Sequence, residues 1–481
     1  MDIAIHPIDV AIVAVYLLAV VGFGLWIGRG QKDLSSYLLG GRDLPWWALL
    51  GSIVATETST ATFLSVPGLA FAAGGDLRFL QLALGFVLGR ILVTLVLLPE
   101  YFRGNLYTAY EVLDRRFGGA TKRAASLLFL VARNLGDGLR LFLTAIVLEQ
   151  VAGFDLPTCI AIIGVATIVY TFFGGMKAVV WNDCIQFVVY VTGGILALLL
   201  ILNALPGGWT DLQTFAESRD KLRVFDFELD FTQTFTFWAG IIGGATLTLG
   251  THGTDQMMVQ RYLCARSQRD AGRALILSGA VVLVQFALFL LLGVALACYY
   301  SEVVPTAFDS NDEVFATFIV TEMPVGLVGL TLAAVFSAAM STLSSSLNSS
   351  ASSAVNDLYL PLRKIAAHSS HALVASRAFT VFFGVVQIAV GIAASRISRS
   401  VVNDALAIAG FTAGILLGVF ALGVLTTRVR QSGALAGLLG GLTVLTAVKF
   451  FTPIAWPWFA VIGAVCTFGI GYAVSLVVDA E

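Results

Sequence analysis

The chain has 481 residues, of which 58% are hydrophobic and 12% charged, with a formal net charge of −2 and a mean hydropathy of +0.89. These values exclude a soluble globular protein, and a charge balance so near neutral gives no sign of a nucleic-acid partner. Apolar runs of the ~20 residues needed to cross a ~30 Å hydrocarbon core recur along the whole length, so the sequence predicts an all-α polytopic membrane protein with the lipid bilayer as its surroundings.

Thirteen spans are predicted, at 8–28, 46–72, 79–102, 122–152, 156–174, 178–204, 233–260, 272–300, 322–360, 371–395, 400–427, 433–450 and 456–478. The N-terminus, MDIAIHPIDV, is acidic and lacks the basic region of a signal peptide, so the first span is expected to stay in the mature protein. Residues 1–45 hold that extra helix and a polar linker, GRGQKDLSSYLLGGRDLPWW. Two blocks of five spans follow, 46–204 and 233–427, separated by a polar loop at 205–232; two peripheral helices close the chain at 428–481. An odd number of spans per block inserts the second upside down relative to the first, the arrangement of inverted-repeat transporters.

The first block opens with GSIVATETSTATFLSVPG, residues 51–68, which places Thr56, Glu57, Thr58, Ser59, Thr60 and Thr62 at mid-membrane depth. A glutamate there costs about 2–3 kcal/mol or more unless it is paired, protonated or facing a cavity. Two readings follow. Hydroxyls could pack helices while a neighbour neutralises Glu57, or the helix could be unwound so that its carbonyls and hydroxyls bind a cation and a polar solute. Pro67 and Gly68 are expected to break its outer half.

Further on, VARNLGDGLRLFLTAIVLE steps Arg133, Asp137 and Arg140 by four and three residues, so they share a helix face. They make either a neutralised structural triad or a site where one arginine stays free to grip a carboxylate. In GGMKAVVWNDCIQ, Asp183 falls about one turn into a span with Gln186 as its i+3 neighbour; it is either solvated at the interface or aimed inward. The second block opens with GGATLTLGTHGTDQ, again rich in small and hydroxyl residues at its middle.

The ninth span carries AAMSTLSSSLNSSASS, in which ten of the thirteen positions from Ser341 to Ser353 are Ser, Thr or Asn. On a helix, Ser337, Ser341, Ser344 or Ser345, Asn348 and Ser352 line up at three- and four-residue steps, which predicts a polar stripe rather than a linker. Hydroxyls and freed carbonyls suit a hard cation such as sodium; a serine packing seam is the other reading. Ser349 to Ser353 are expected to line the exit or pack a neighbouring helix.

With the N-terminus outside and the C-terminus cytoplasmic, 18 of the 28 basic residues fall in cytoplasmic loops, 7 fall outside, and Arg90, Arg133 and Arg140 lie inside spans. Five scattered cysteines read as small buried hydrophobes, and His6, His252, His368 and His371 offer no metal-ligand spacing apart from a loop pair, so a metalloenzyme is not expected.

These elements resemble the sodium:solute symporter family, whose members include sodium-coupled glucose, sialic acid, proline, iodide and multivitamin transporters. The resemblance covers about residues 8–430 and rests on YLLGGRDLPWW, GGMKAVVWNDCIQ, GTDQMMVQRYLCARS and AAMSTLSSSLNSSAS. It implies an inverted five-plus-five helix core of the leucine-transporter type that works by alternating access. It implies a shared sodium site on the carbonyls of Ala55, Thr58 and Ala338 and the hydroxyls of Ser341 and Thr342. Asp183, Ser344 and Ser345 match the second sodium site that some members have. For the solute, Glu57 stands where sugar transporters have asparagine and proline transporters aspartate. Thr251 and His252 replace the aromatic residues that stack on sugars in the galactose and glucose relatives. Gln81, Ser59, Thr62 and an arginine, Arg133 or Arg140 beside Asp137, resemble the sialic acid pocket.

The expected function is a sodium-driven symporter in the plasma (inner) membrane, not an enzyme, importing a small polar organic solute without an obligatory protein partner. A sodium-linked sensor or a passive sodium channel are the rival classes; the chain's end at Glu481 leaves no kinase module for the former. Glu57 with a free arginine would suit an amino-acid-like zwitterion. Glu57 with Gln81 would suit a sugar or polyol, and an arginine alone would suit sialic acid or another organic acid.

Overall fold

The computed structural model describes residues 6–29, 33–104, 106–308, 310–311, 313–366, 369–395 and 401–478; His368 lies outside them. A chain crossing lipid must pair its own backbone amides and carbonyls, and the described residues are helices joined by turns and irregular segments. In chain order these are α1 (Pro7–Ile27), α2 (Leu34–Leu39), α3 (Trp46–Glu57), α4 (Thr60–Phe71), α5 (Phe79–Phe102), α6 (Glu111–Phe117), α7 (Gly119–Ala152), α8 (Leu156–Ala204) and α9 (Trp209–Ser218). After the long loop come α10 (Gly244–Gly253), α11 (Gln256–Leu263), α12 (Gln268–Glu302), α13 (Glu313–Thr321), α14 (Leu327–Arg363), α15 (Ser370–Ala394), α16 (Val401–Leu425), α17 (Gln431–Phe451) and α18 (Pro457–Val478).

Nine helices among the described residues are long and apolar enough to cross a membrane, or ten if α3 and α4 form one bent span. Thirteen were expected, and the differences have local causes. The spans read at 156–174 and 178–204 run together as the 49-residue α8, interrupted where Gly175 takes φ 53°. A straight helix of that length would be about 74 Å long, more than twice the hydrocarbon thickness, so it must turn, and only glycine adopts that backbone conformation without strain. The span at 122–152 is a helix, but it carries Lys122, Arg123, Arg133, Asp137, Arg140 and Glu149. The span at 233–260 is interrupted between α10 and α11, where Thr254 and Asp255 leave helical geometry.

Helix α14 lies at the centre. Every residue from Thr331 to Ser353 is buried, and the helix packs against α1, α3, α7, α8, α11 and α15. Lipid tails are as apolar as leucine, so such a helix is held by close packing of small residues and by hydrogen bonds rather than by exclusion from water. Its N-terminal amides at Gly326 and Gly329 donate to the carboxylate of Asp9 on α1, each at 2.7 Å, satisfying two donors that a helix start leaves unpaired. The half-helix α4 is pinned by Phe63, whose ring sits 5.3 Å from that of Phe289 and 5.2 Å from that of Phe315. Its C-terminal carbonyls are capped by Lys221 from the loop, whose ammonium donates to Ala70, Phe71, Ala72 and Gly75 at 2.7–3.2 Å. Burial holds the pKa of that ammonium below the ordinary lysine range.

Candidate functional site

The break between α3 and α4 falls at Thr58 and Ser59, both extended, and the two halves meet at 60°. It does not fall at Pro67 and Gly68, as expected from the sequence; both lie inside α4. The Thr58 amide keeps its helical bond to the Val54 carbonyl at 3.1 Å, and the ladder stops at the next amide. The Thr58 hydroxyl donates to the Val54 carbonyl at 2.9 Å, and the Ser59 amide turns to the Glu57 carbonyl at 3.1 Å. The Ala55 carbonyl therefore loses its i+4 amide, and the C-terminus of α3 presents its negative dipole end inside the protein. The N-terminus of α4 presents the opposite end, and its Ser59 cap makes no side-chain bond to the helix amides. The second break is similar: Asp255 caps α11 by accepting from the Met257 amide at 2.8 Å.

Facing the first break is α14. Thr342 donates to the Thr56 carbonyl at 3.0 Å and lies 3.3 Å from the Ala338 carbonyl. Ser341 donates to Asp183 at 2.6 Å. Asp183 is fully buried and turned inward; Ser52 and Thr56 also donate to it, and Arg261 of α11 forms an ion pair with it at 3.1 Å. Ser344 and Ser345 both donate back to the Ser341 carbonyl, at 3.2 and 2.7 Å, while Ser345 also meets Thr56 at 3.1 Å and Arg261. Ala55, Thr58, Ala338, Ser341, Thr342, Asp183, Ser344 and Ser345 are all buried, and these contacts gather α3, α8 and α14 around one polar spot.

The rest of the serine run is also bonded. Ser337 meets Tyr16 of α1 at 2.5 Å, and Ser346 accepts from Gln387 at 2.9 Å. Asn348 accepts from Gln260 at 2.7 Å, and Ser352 from Gln256 at 3.3 Å. Ser353 meets Ser126 at 2.6 Å and donates to Asp357 at 2.9 Å. Asp357 also accepts from Thr108 at 2.6 Å, and Gln256 accepts from the Ala109 amide at 2.7 Å. This lower network ties α14 to α7, α11 and the segment before α6, and closes that end of the molecule.

At the other end a cavity of about 870 Å³ reaches down from Gly68, Ala72, Thr234, Phe235, Asn311 and Trp456 to Thr56 and Thr342. Thr56 and Thr342 belong to the cluster just described, so cavity and cluster share a wall. Of the solute-binding candidates, Glu57, Ser59, Thr62, Arg133, Arg140, Thr251 and His252 line the cavity. Gln81 and Asp137 are outside the lining. Gln81 is turned to the long loop, accepting from the Asp226 amide at 3.0 Å and donating to the Phe235 carbonyl at 3.2 Å. Asp137 is fully buried behind the wall, bonded to Arg140 and 3.5 Å from Arg133, which also reaches Asp255 at 2.6 Å. The remaining walls are mostly apolar, with Phe86, Phe129, Phe142, Leu143, Ile146, Met258 and Phe286 among them.

Glu57 is paired with Arg90, which is completely buried on α5. His252 Nε2 stands 3.3 Å from the same guanidinium and 3.6 Å from the Glu57 carboxylate. A guanidinium has only donors, so Nε2 is the accepting nitrogen, and the Nδ1 proton goes to Thr251 at 3.1 Å. Neither Arg90 nor Arg261 was assigned a site role from the sequence. The available signals were an arginine inside a span and the first of the two in GTDQMMVQRYLCARS.

A family model described as the sodium:solute symporter family matches residues 37–441. A human sodium/iodide cotransporter is 32% identical over 91% of this chain and 68% of its own. A Bos taurus sodium-coupled monocarboxylate transporter is 30% identical over 90% of this chain and 71% of its own. A substrate-bound, outward-open structure of a Na+-coupled sialic acid symporter superposes with a TM-score of 0.91 at 27% identity, covering 98% of both chains.

Proposed function

We propose, from the premise that the chain belongs to the sodium:solute symporter family and is a sodium-coupled symporter rather than an enzyme, that its solute is a small organic monocarboxylate with an apolar body. One observation carries this reading: Glu57 is committed to Arg90, while among the described hydrogen bonds Arg140 engages only Nη1, on Asp137. A zwitterion or polyol anchored on Glu57 would have to compete with a guanidinium already in place. A carboxylate would instead meet the remaining Arg140 donors and the uncapped N-terminus of α4, whose Thr60 touches Thr144 one turn beyond Arg140 at 2.8 Å. The apolar lining favours an aliphatic or aromatic body over a polyol. The relatives are named for iodide, a monocarboxylate and sialic acid, all anions at neutral pH.

In this reading the shared sodium sits between the carbonyls of Ala55, Thr58 and Ala338 and the hydroxyls of Ser341 and Thr342. Asp183, Ser344 and Ser345 are assigned to a second ion. The N-terminus lies outside, the C-terminus is cytoplasmic, and the cavity mouth beside the loop at 205–232 faces the exterior of the plasma (inner) membrane. Sodium bridging α3 to α14 holds the cavity floor, where Thr56 and Thr342 meet, in the shape that receives the solute. Release requires the Asp357, Gln256 and Gln260 network at the opposite end to part, so ion occupancy and solute binding act on the same helices.

The test is a thermal-shift screen of purified protein in sodium and in potassium, with propionate, pyruvate and benzoate set against glucose, mannitol and neutral amino acids. Stabilisation by the monocarboxylates in sodium alone is expected. Stabilisation by a sugar or amino acid with no response to any carboxylate overturns the solute assignment.

A further inference from the structure

The guanidinium of Arg261 is 1% exposed and fully engaged. Nε donates to Ser52 at 2.8 Å and Nη1 to the Met257 carbonyl at 2.6 Å. Nη2 meets three oxygens at once: Thr56 Oγ1, Ser345 Oγ, and Asp183 Oδ2 at 3.1 Å. One positively charged group ringed by a carboxylate and two hydroxyls is the environment a small hard cation seeks, and two of those oxygens belong to the residues assigned above to the second sodium. The ring joins four helices: Ser52 and Thr56 on α3, Asp183 on α8, Ser345 on α14, and Arg261 itself on α11, the half-helix that also carries Gln256 and Gln260 of the closed end.

We propose that Arg261 is a tethered cation that competes with sodium for Asp183 and Ser345, so that sodium enters the second position only as the guanidinium withdraws. The proposal rests on the reading of Asp183 and Ser345 as sodium ligands. A carboxylate buried this completely stays ionised only beside a positive partner, because an uncompensated charge in a low-dielectric interior is strongly disfavoured. Arg261 supplies that partner from within the chain, and sodium can supply it from solution. Exchange of one for the other moves the anchoring point of α11 and thereby links ion binding to the contacts that Gln256 and Gln260 make with α14.

The experiment measures sodium-dependent thermal stabilisation of the purified full-length protein without solute, for the parent, Arg261→Gln, Arg261→Lys, Asp183→Asn and the double variant Arg261→Gln/Asp183→Asn. With the competitor removed, Arg261→Gln is expected to be less stable in potassium, to recover in sodium, and to reach half-maximal stabilisation at a sodium concentration about tenfold lower than the parent, a competition of about 1.4 kcal/mol. Arg261→Lys keeps a tethered cation and is expected to stay near the parent. The double variant is expected to lose the gain. If Asp183→Asn weakens the sodium response but Arg261→Gln leaves it unchanged or weaker, competition is refuted while the ion-site reading stands. If Asp183→Asn leaves the sodium response intact, the ion-site reading itself is wrong and the proposal falls with it. Should Arg261→Gln fail to fold even in sodium, sodium cannot replace the guanidinium, which also refutes competition.

Discussion

Glu57 distinguishes the carboxylate reading from its rivals, because its partner is completely buried. Arg90 is wholly buried, pairs with Glu57, and has Nε and Nη1 without a hydrogen-bond partner among the described residues. Truncating one member of such a pair leaves the other charge stranded, which costs about 3–5 kcal/mol. The Glu57 side chain retains 17% exposure at the cavity wall, so water can soften its loss of a partner. Arg90 has no such relief. Glu57→Gln is therefore expected at the upper end of that range and Arg90→Met nearer the lower. The double variant should be less damaged than the sum of the singles, because it strands no charge. Thermal unfolding of the purified protein in detergent gives the cycle, and sodium-dependent binding of a monocarboxylate gives the second readout. If Glu57 is structural, Glu57→Gln and the double variant, where folded, bind the acid with affinity within a few-fold of the parent. If Glu57→Gln instead keeps full stability and loses solute binding, Glu57 holds the solute directly, and the pairing with Arg90 does not have the consequence assigned to it.

Four other outcomes follow from the same contacts. Replacing Arg140 with Gln removes a charge-assisted hydrogen bond worth about 1.5–3 kcal/mol, so solute affinity should fall roughly 10- to 100-fold in uptake assays, with Lys recovering only part of it because it cannot pair in bidentate fashion. Ser341→Ala with Thr342→Ala should raise the sodium concentration for half-maximal uptake severalfold; an unaltered sodium dependence would remove these hydroxyls from the ion site. Asp9→Ala leaves the Gly326 and Gly329 amides unpaired and should cost about 1–2 kcal/mol of stability, read by thermal unfolding with sodium affinity unchanged. Asp226 is held below the ordinary carboxylate pKa of 3.8; burial alone would raise it, but the Glu228 amide and the arginines at 78 and 223 outweigh burial. Its contribution to loop stability is therefore present above pH 3.8 and is lost as pH falls through its lower folded value, which proteolysis of the 205–232 loop across an acid series would register.

The parts of this architecture that depend on local chemistry were legible in the sequence. Apolar length marks the spans, the run from Thr56 to Thr62 marks a weak helix, and the spacing of Arg133, Asp137 and Arg140 puts them on one face, where Asp137 does meet both arginines. What escaped depends on partners far away in the chain. Arg90 and Glu57 are 33 residues apart, and Arg261 and Asp183 are 78 apart; no periodicity connects them. Gln81 looked like a pocket residue by resemblance, yet the loop at Asp226 and Phe235 folds over its helix and claims its amide. The break lies away from Pro67, the conspicuous helix breaker, because the Ser59 amide turns from the Ala55 carbonyl to that of Glu57, a switch that composition alone does not reveal. The serine run posed the same difficulty: its stripe was visible, but its partners are spread over α1, α7, α8, α11 and α15 and emerge only when those helices are assembled around it.

The most direct measurement is uptake of a radiolabelled monocarboxylate into proteoliposomes under an inward sodium gradient, with an inward potassium gradient as control. Accumulation above the external concentration in sodium, its collapse when sodium is equalised, and its loss in Ser341→Ala/Thr342→Ala are the results predicted. Equal entry in sodium and potassium, or sodium-driven accumulation that survives the loss of both hydroxyls, would contradict coupling at the junction of α3 and α14.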